Sequence, residues 1–212
     1  MYNLPHFKEK NNELIIEFMK QHPFAMLIGC ANDLPAATQV PLLLEERDGK
    51  IILIGHIMRK QDHQLAFEKN PQVLAVFTGP HTYVSATLYT NPQEASTWNY
   101  MSVHARGLLK FLDEKGLENA LRLLSLHFEN NNLDSPTIFN NLSENYRTKL
   151  MKSIIAFEIE VDSVEHVFKL SQNRDKESYR HIIKHLQKQG GEAYNVATQM
   201  GKRSSELFED PI

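Results

Sequence analysis

GPHTYV at residues 79–84 and TWNYMSVHARG at residues 97–107 decide how this chain is read. Both runs mix aromatic and β-branched residues with Gly, and the polar stretch 91–96 lies between them. That composition suits paired strands, with Gly where a second backbone or a flat ligand comes close. Outward from this pair, strand patterns recur at 24–30, 37–44, 51–56, 72–78, 82–89 and 99–112. Asn32-Asp33 with Pro35 marks one turn, and Arg47-Asp48-Gly49-Lys50 marks a hairpin of the kind Asp-Gly favours. One short helix at 61–69 interrupts the series, with Leu65 and Ala66 inward and Asn70-Pro71 closing it. Strand after strand at short spacing is the pattern of a small antiparallel barrel.

Helical periodicity flanks this half. At 11–21, Leu14, Ile15, Phe18 and Met19 share a face, and His22-Pro23 ends the segment because the residue before Pro avoids the α region. From Asp113 onward Leu117, Leu121, Leu124 and Phe128 form another face, broken at Asn130-Asn131-Asn132. Asp134-Ser135-Pro136 has the chemistry to open a further segment, and 147–153 is predicted helical. Strands are expected at 154–161 and 164–170, then a basic helix at 176–189 with Tyr179, Ile182, Ile183 and Leu186 inward, ended by Gly190-Gly191. The tail from Gly201 has few apolar anchors and is expected to be loosely held. The expectation is one domain over 1–212, mainly β with accessory helices (α+β), with a helical elaboration at about 113–153 and a C-terminal helix at about 176–189. No period of about 20 to 50 residues recurs, which excludes solenoids and propellers.

Composition narrows the class. Of 212 residues 42% are hydrophobic and 23% charged, as in ordinary globular proteins. No apolar run is long enough to span a bilayer, and MYNLPHFKEKNNE lacks the order of a secretory signal, so a cytoplasmic location is expected. The single cysteine, Cys30, allows no internal disulfide and is expected to be buried and inert. A net charge of −3 gives no general attraction to nucleic acid. With only the helix at 176–189 basic, direct DNA binding without a partner is expected to be weak.

Few residues suggest chemistry. Arg59 and Lys60 sit where a strand runs into a helix, and such a basic pair beside free helix amides suits a phosphate ester; a solvated basic pair is the plainer alternative. His56, His81 and His104 are spaced 25 and 23 apart, which matches no compact ligand motif, so no metal is expected. Trp98, Asn99 and Tyr100 suit one wall of a flat pocket, or equally the core or a dimer interface. No nucleophile stands at a recognisable spacing from a base, so no catalytic residue is assigned.

The two aromatic runs, together with MYNLPHF at the start, HPFAMLI at 22–28, Gly55-His56 and KLSQNR at 169–174, resemble the PaiB-type family, described as FMN-binding negative transcriptional regulators. The resemblance covers roughly residues 1–190. It implies an antiparallel split β-barrel of the FMN-binding type, a homodimer, and FMN at the subunit interface. Thr38, Gln39, Val40 and Pro41 match the strand that lays its backbone along the isoalloxazine ring, and Pro41, lacking a ladder donor, suits an edge. Arg59 and Lys60 match the phosphate site, with His56, His81, Trp98 and Asn99 as further contacts. Lys60-Gln61-Asp62 stands where the family usually has Ala-Asn-Pro, and Leu88 replaces an expected large aromatic within 85–89. Two other readings stay open: a flavin-dependent oxidoreductase acting on a small molecule, and a binding module that has lost FMN. KLSQNR suits a turn and helix cap, or a phosphate or dimer contact.

Overall fold

Left-handed residues set the hairpins of the first half. Asn32 and Asp33 (φ 51° and 60°), then Asp48 and Gly49 (φ 52° and 76°), give the paired positive φ values that two-residue hairpins need. A computed structural model describes residues 1–91 and 93–209. After α1 (Asn12–Gln21), β1 (Phe24–Ala31) and β2 (Leu34–Pro41) flank the first turn, and β3 (Leu43–Arg47) and β4 (Lys50–Met58) flank the second. α2 (Asp62–Lys69), β5 (Gln72–Val84), β6 (Thr97–Phe111), α3 (Glu114–Phe128), α4 (Glu144–Ser153), β7 (Ile154–Lys169), α5 (Lys176–Gln189) and α6 (Gly191–Leu207) follow.

The strand order is β2-β1-β5-β6-β7-β4-β3. β2 and β3 are its two ends, yet Leu42 alone joins them. Since neighbouring Cα atoms are only about 3.8 Å apart, the ends must meet and the sheet must curl. No β2–β3 ladder closes the seam among the described residues, which makes the barrel a split one. Leu42, 2% exposed, turns the corner and donates its N–H to the Pro23 carbonyl at 2.8 Å. Pro41 beside it has no N–H to give, in keeping with a ladder that stops there.

The chain groups into two compact units, one of Met1–Phe18, Thr78–Val103 and Glu165–Ile212, the other of Met19–Phe77 and His104–Val164. The second holds β1 to β4 and parts of β5, β6 and β7, and is called the barrel unit here. Its ladders include β1 with β5 (Met26 opposite Val76) and β4 with β7 (Ile52 opposite Glu160). Ile52, Ile54, Ile154 and Ala156 pack with Leu117, Ala120 and Leu121 of α3 and with Phe139. The helical elaboration therefore lies on the outer face of β4 and β7. Asp113 caps α3 by accepting from the Gly116 N–H at 2.8 Å, and Asn130 and Asn131, at φ 54° and 59°, end it.

In the first unit, α5 buries the expected Tyr179, Ile182, Ile183 and Leu186. The tail differs from expectation. α6 continues to Leu207 because Ala193, Val196, Ala197, Met200 and Ser204 form one buried stripe that begins before Gly201. Arg203 on that helix pairs with Glu9 at 2.9 Å and lies over the Phe168 ring. Residues 210–212 of that tail lie outside the described residues.

Other departures have simple causes. β5 is continuous over residues expected to form two strands and is followed by a 3-10 turn at Ala86–Leu88. β7 is likewise unbroken, whereas the strand expected at 37–44 is cut at Leu42. Leu14, Leu65 and Phe128 are exposed, not inward, since each sits at the margin of its helical stripe. Cys30 is also exposed: Ala25, Leu27 and Gly29 of β1 face inward, and the two-residue alternation of a strand sends Cys30 to the other side.

Asp175 supplies one testable anchor of the first unit. It caps α5, accepting from the Ser178 N–H at 2.9 Å, the Ser178 hydroxyl at 2.6 Å and the Thr90 hydroxyl at 2.9 Å. The Ser178 hydrogen bonds hold its carboxyl down at about 2. A depressed carboxyl adds stability that is present above its unfolded value of about 3.9 and lost as pH falls through the folded value. Asp175→Ala is expected to cost about 1 kcal/mol at pH 7, the typical worth of a helix cap, and less towards pH 2. Urea unfolding at both pH values checks this, and an equal loss at both would contradict it.

Candidate functional site

Arg59 and Lys60 follow β4 directly. The Arg59 Nε donates to the Ile154 carbonyl at 2.8 Å and its backbone N–H to the Ser153 carbonyl at 2.9 Å, which fixes the stem and leaves the two terminal amino groups free for an anion. Lys60 takes φ 62°, and the buried Gln64 side chain reaches back to accept its backbone N–H at 2.7 Å. That left-handed residue turns the chain into α2. Gln61 occupies the N-cap of α2 but makes no capping bond with its side chain, so amide donors remain at the positive end of the helix. One feature opposes an anion here. Asp62 stands in the first turn, its carboxyl lowered by hydrogen bonds from the His63 backbone and ring.

β2 is an edge strand, as Pro41 suggests, so alternate residues turn their backbone groups away from β1. Gln39 is exposed, Thr38 and Pro41 are half-buried, and Val40 is in the core. Pro41 and His56 also line a cavity of about 670 Å³ whose other walls come from α3, α4 and the segment between them. The His56 ring is half-buried, its Nδ1 has no partner among the described residues, and burial holds its pKa below the usual histidine range. Sequence reasoning did not find this cavity. Its far wall comes from residues some 65 to 95 positions after His56, beyond the reach of local periodicity.

The remaining candidates lie in the first unit. His81 stacks on Trp98 with ring centroids 6.0 Å apart, and Tyr83 meets the indole edge-on at 6.4 Å. Trp98 and Tyr83 are 53% and 51% exposed, so the indole is open to a partner or ligand and is not a core residue. Asn99 points the other way. It is fully buried, and its amide donates to the Ser171 hydroxyl at 2.9 Å and to the Met200 sulfur at 3.6 Å. Strand alternation explains the split between Trp98 outside and Asn99 inside.

KLSQNR is tied into the same unit. The Lys169 ammonium donates to the Thr97 hydroxyl, Ser171 adopts φ 63°, and Arg174 pairs with Glu94 while lying 4.0 Å over the Tyr89 ring. These contacts give the motif a structural role; Asp175, not Asn173, caps the helix after it. Among the described residues no group of three or more His, Cys, Asp or Glu is placed to hold a metal ion.

Comparison with known proteins agrees with this architecture. The family model described as "Putative FMN-binding domain" matches residues 1–163, and the chain belongs to that FMN-binding family. Within it the chain is PaiB-like. It is 30% identical over 212 residues to "Protease synthase and sporulation protein PAI 2" of Bacillus subtilis (strain 168), covering 100% of this chain and 98% of that protein. Among solved structures, the FAD and heme binding protein from Mycobacterium smegmatis aligns with a TM-score of 0.57 at 16% identity, over 76% of this chain and 72% of that one. The flavocytochrome Anf3 from Azotobacter vinelandii aligns with a TM-score of 0.56 at 16% identity, over 85% and 78%. At such identities these two speak for the fold, an antiparallel split β-barrel of the flavin-binding kind.

The residues present fit FMN. The anchored Arg59 guanidinium, the Lys60 ammonium and the start of α2 are groups that suit a phosphate ester, while Asp62, already accepting from the His63 N–H, works against one.

Proposed function

We propose that this chain holds FMN with the phosphate at Arg59, Lys60 and the N-terminus of α2, and with the ring along Thr38, Gln39, Val40 and Pro41. The observation that carries the reading is the Arg59 anchor: its Nε is spent on Ile154, so its terminal amino groups are pre-aimed at no cost in stem entropy when an anion arrives. FMN, when bound, supplies a redox-active ring; the chain supplies position and charge. Asp62 is the counterweight, an acidic group at a helix N-terminus already meant for an anion. Asp62→Asn is expected to tighten FMN roughly two- to five-fold and to leave riboflavin unchanged. Parallel spectral titrations of both ligands test this, and weaker FMN binding in the variant would place the phosphate elsewhere.

The resemblance to PaiB-type regulators, joined by likeness to the Bacillus subtilis protein named for protease synthase and sporulation, supports a regulatory role over an enzymatic one. We infer a cytoplasmic homodimer with the Trp98 and Tyr83 face at or near the subunit contact, since half-exposed aromatics of that size are typical of interfaces. No helix of the described residues is long and apolar enough to cross a membrane. Sedimentation at micromolar concentration reads the dimer, and a monomer overturns it; recovery in a membrane or secreted fraction would overturn the location. With a net charge of −3, regulation through DNA calls for a partner protein. Nanomolar binding of labelled duplex by the chain alone near physiological salt would contradict that.

A further inference from the structure

The cavity of the barrel unit lacks the chemistry of a phosphate site. Its wall is mostly apolar, with Leu121, Leu124, Phe128, Phe139, Leu142 and Leu150 prominent. Its volume of about 670 Å³ lies within the range of small-molecule pockets. Most of its polar groups are already satisfied by the chain. The Ser125 hydroxyl accepts from the Phe139 N–H at 2.8 Å, Ser143 accepts from the Tyr146 N–H at 3.4 Å, and Glu129 accepts from Ser135 at 2.8 Å. His56 Nδ1 differs in being buried without a partner among the described residues, as is the Arg147 Nε beside the wall residue Phe139.

An unpaired buried nitrogen costs free energy, and a ligand that supplies its partner recovers it. Charge narrows the ligand further. Among the described residues Glu129 is the one charged side chain on the wall, and hydrogen bonds from Thr137 and Ser135 keep its carboxyl below the usual range, so it stays anionic. Arg147 lies over the Phe139 ring, but its guanidinium is not part of the wall. The Glu129 carboxylate therefore works against carboxylates and phosphates at its end of the cavity.

We propose that this cavity is a second ligand site, adjoining the flavin's at Pro41, which takes an uncharged, largely apolar aromatic molecule with one hydrogen-bonding group directed at His56. The inference rests on the cavity and its wall, not on FMN binding. Sharing Pro41 and His56 with the flavin-binding segments, the site would set its occupant beside the cofactor.

Nile red, an uncharged polycyclic dye that brightens in apolar surroundings, is the probe, titrated into the full chain with and without saturating FMN. Saturable one-to-one binding is expected in both conditions. Leu150→Trp, which fills the half-buried wall, should weaken it roughly tenfold or more, and His56→Phe by about five-fold. Tyr146→Ala, at an exposed lining position, tests the wall without burdening the fold and should weaken it about two-fold. Neutral 1-naphthol should displace the dye and anionic 1-naphthoate should not. Unchanged dye affinity in Leu150→Trp and Tyr146→Ala would put the dye elsewhere and overturn the proposal. Stoichiometric displacement by FMN would identify the cavity as the flavin's own chamber, and would equally overturn it.

Discussion

Replacing Arg59 and Lys60 together with Ala is expected to weaken FMN by about 1.5–3 kcal/mol for each charged hydrogen bond lost, while riboflavin affinity barely moves. The difference between the ligands is the phosphate, so the comparison isolates the phosphate site from the ring site. Arg59 should carry the larger share. Its stem is already fixed by Ile154 and Ser153, so the folded chain has met most of the ordering cost that the Lys60 side chain still faces on binding. Arg59→Lys alone should recover only part of the wild-type affinity, because an ammonium cannot donate to Ile154 and grip a phosphate in a forked geometry at once. Isothermal titration of both flavins against the wild type and the two variants measures this. Equal losses for FMN and riboflavin would show that the basic pair acts through the fold and not on the phosphate.

Gly107→Val is expected to destabilise the barrel by about 3 kcal/mol or more. A Cβ at Gly107 would stand 2.1 Å from the Glu160 carbonyl oxygen and 3.0 Å from an Ile159 methyl. The first of these is backbone, so no rotamer change relieves it, and β6 would have to part from β7. Gly55 makes a useful contrast. An added Cβ there would meet side-chain atoms of Phe157 at 2.7 Å and Leu42 at 2.9 Å, which can shift at lower cost, so Gly55→Ala should be the milder change. Urea denaturation ranks the pair, and a Gly107→Val chain as stable as the wild type would mean that β6 and β7 do not approach as closely as described.

That glycine ends the sequence run from which the fold was read, and its role explains why the run was informative. At Gly107 the neighbouring backbone leaves no room for a side chain, and the residues before it alternate, with Asn99 inside and Trp98 outside. Local signals of this kind carried well: the hairpins at Asn32-Asp33 and Asp48-Gly49, the inward face of α5, and Pro41 on an edge strand. What was not legible depended on partners distant in sequence. α6 gains its stability from a buried stripe and from the Arg203–Glu9 pair, which links residues 194 positions apart. KLSQNR was recognisable as a motif, but its contacts with Thr97, Asn99, Glu94 and Tyr89 come from segments far away in the chain. The proposed phosphate corner was legible as a basic pair before a helix; that Arg59 is anchored on the Ile154 carbonyl, which sets its geometry, was not.

The central claim, that this PaiB-like split barrel is an FMN protein, is tested most directly by equilibrium dialysis of the purified chain against FMN with the visible flavin spectrum read on both sides. The account predicts uptake of one FMN per chain, a perturbed flavin band on the protein side, and weaker retention of riboflavin. An unperturbed spectrum with equal flavin on both sides of the membrane would contradict it, and would leave the barrel as a binding module that no longer takes the cofactor of its family.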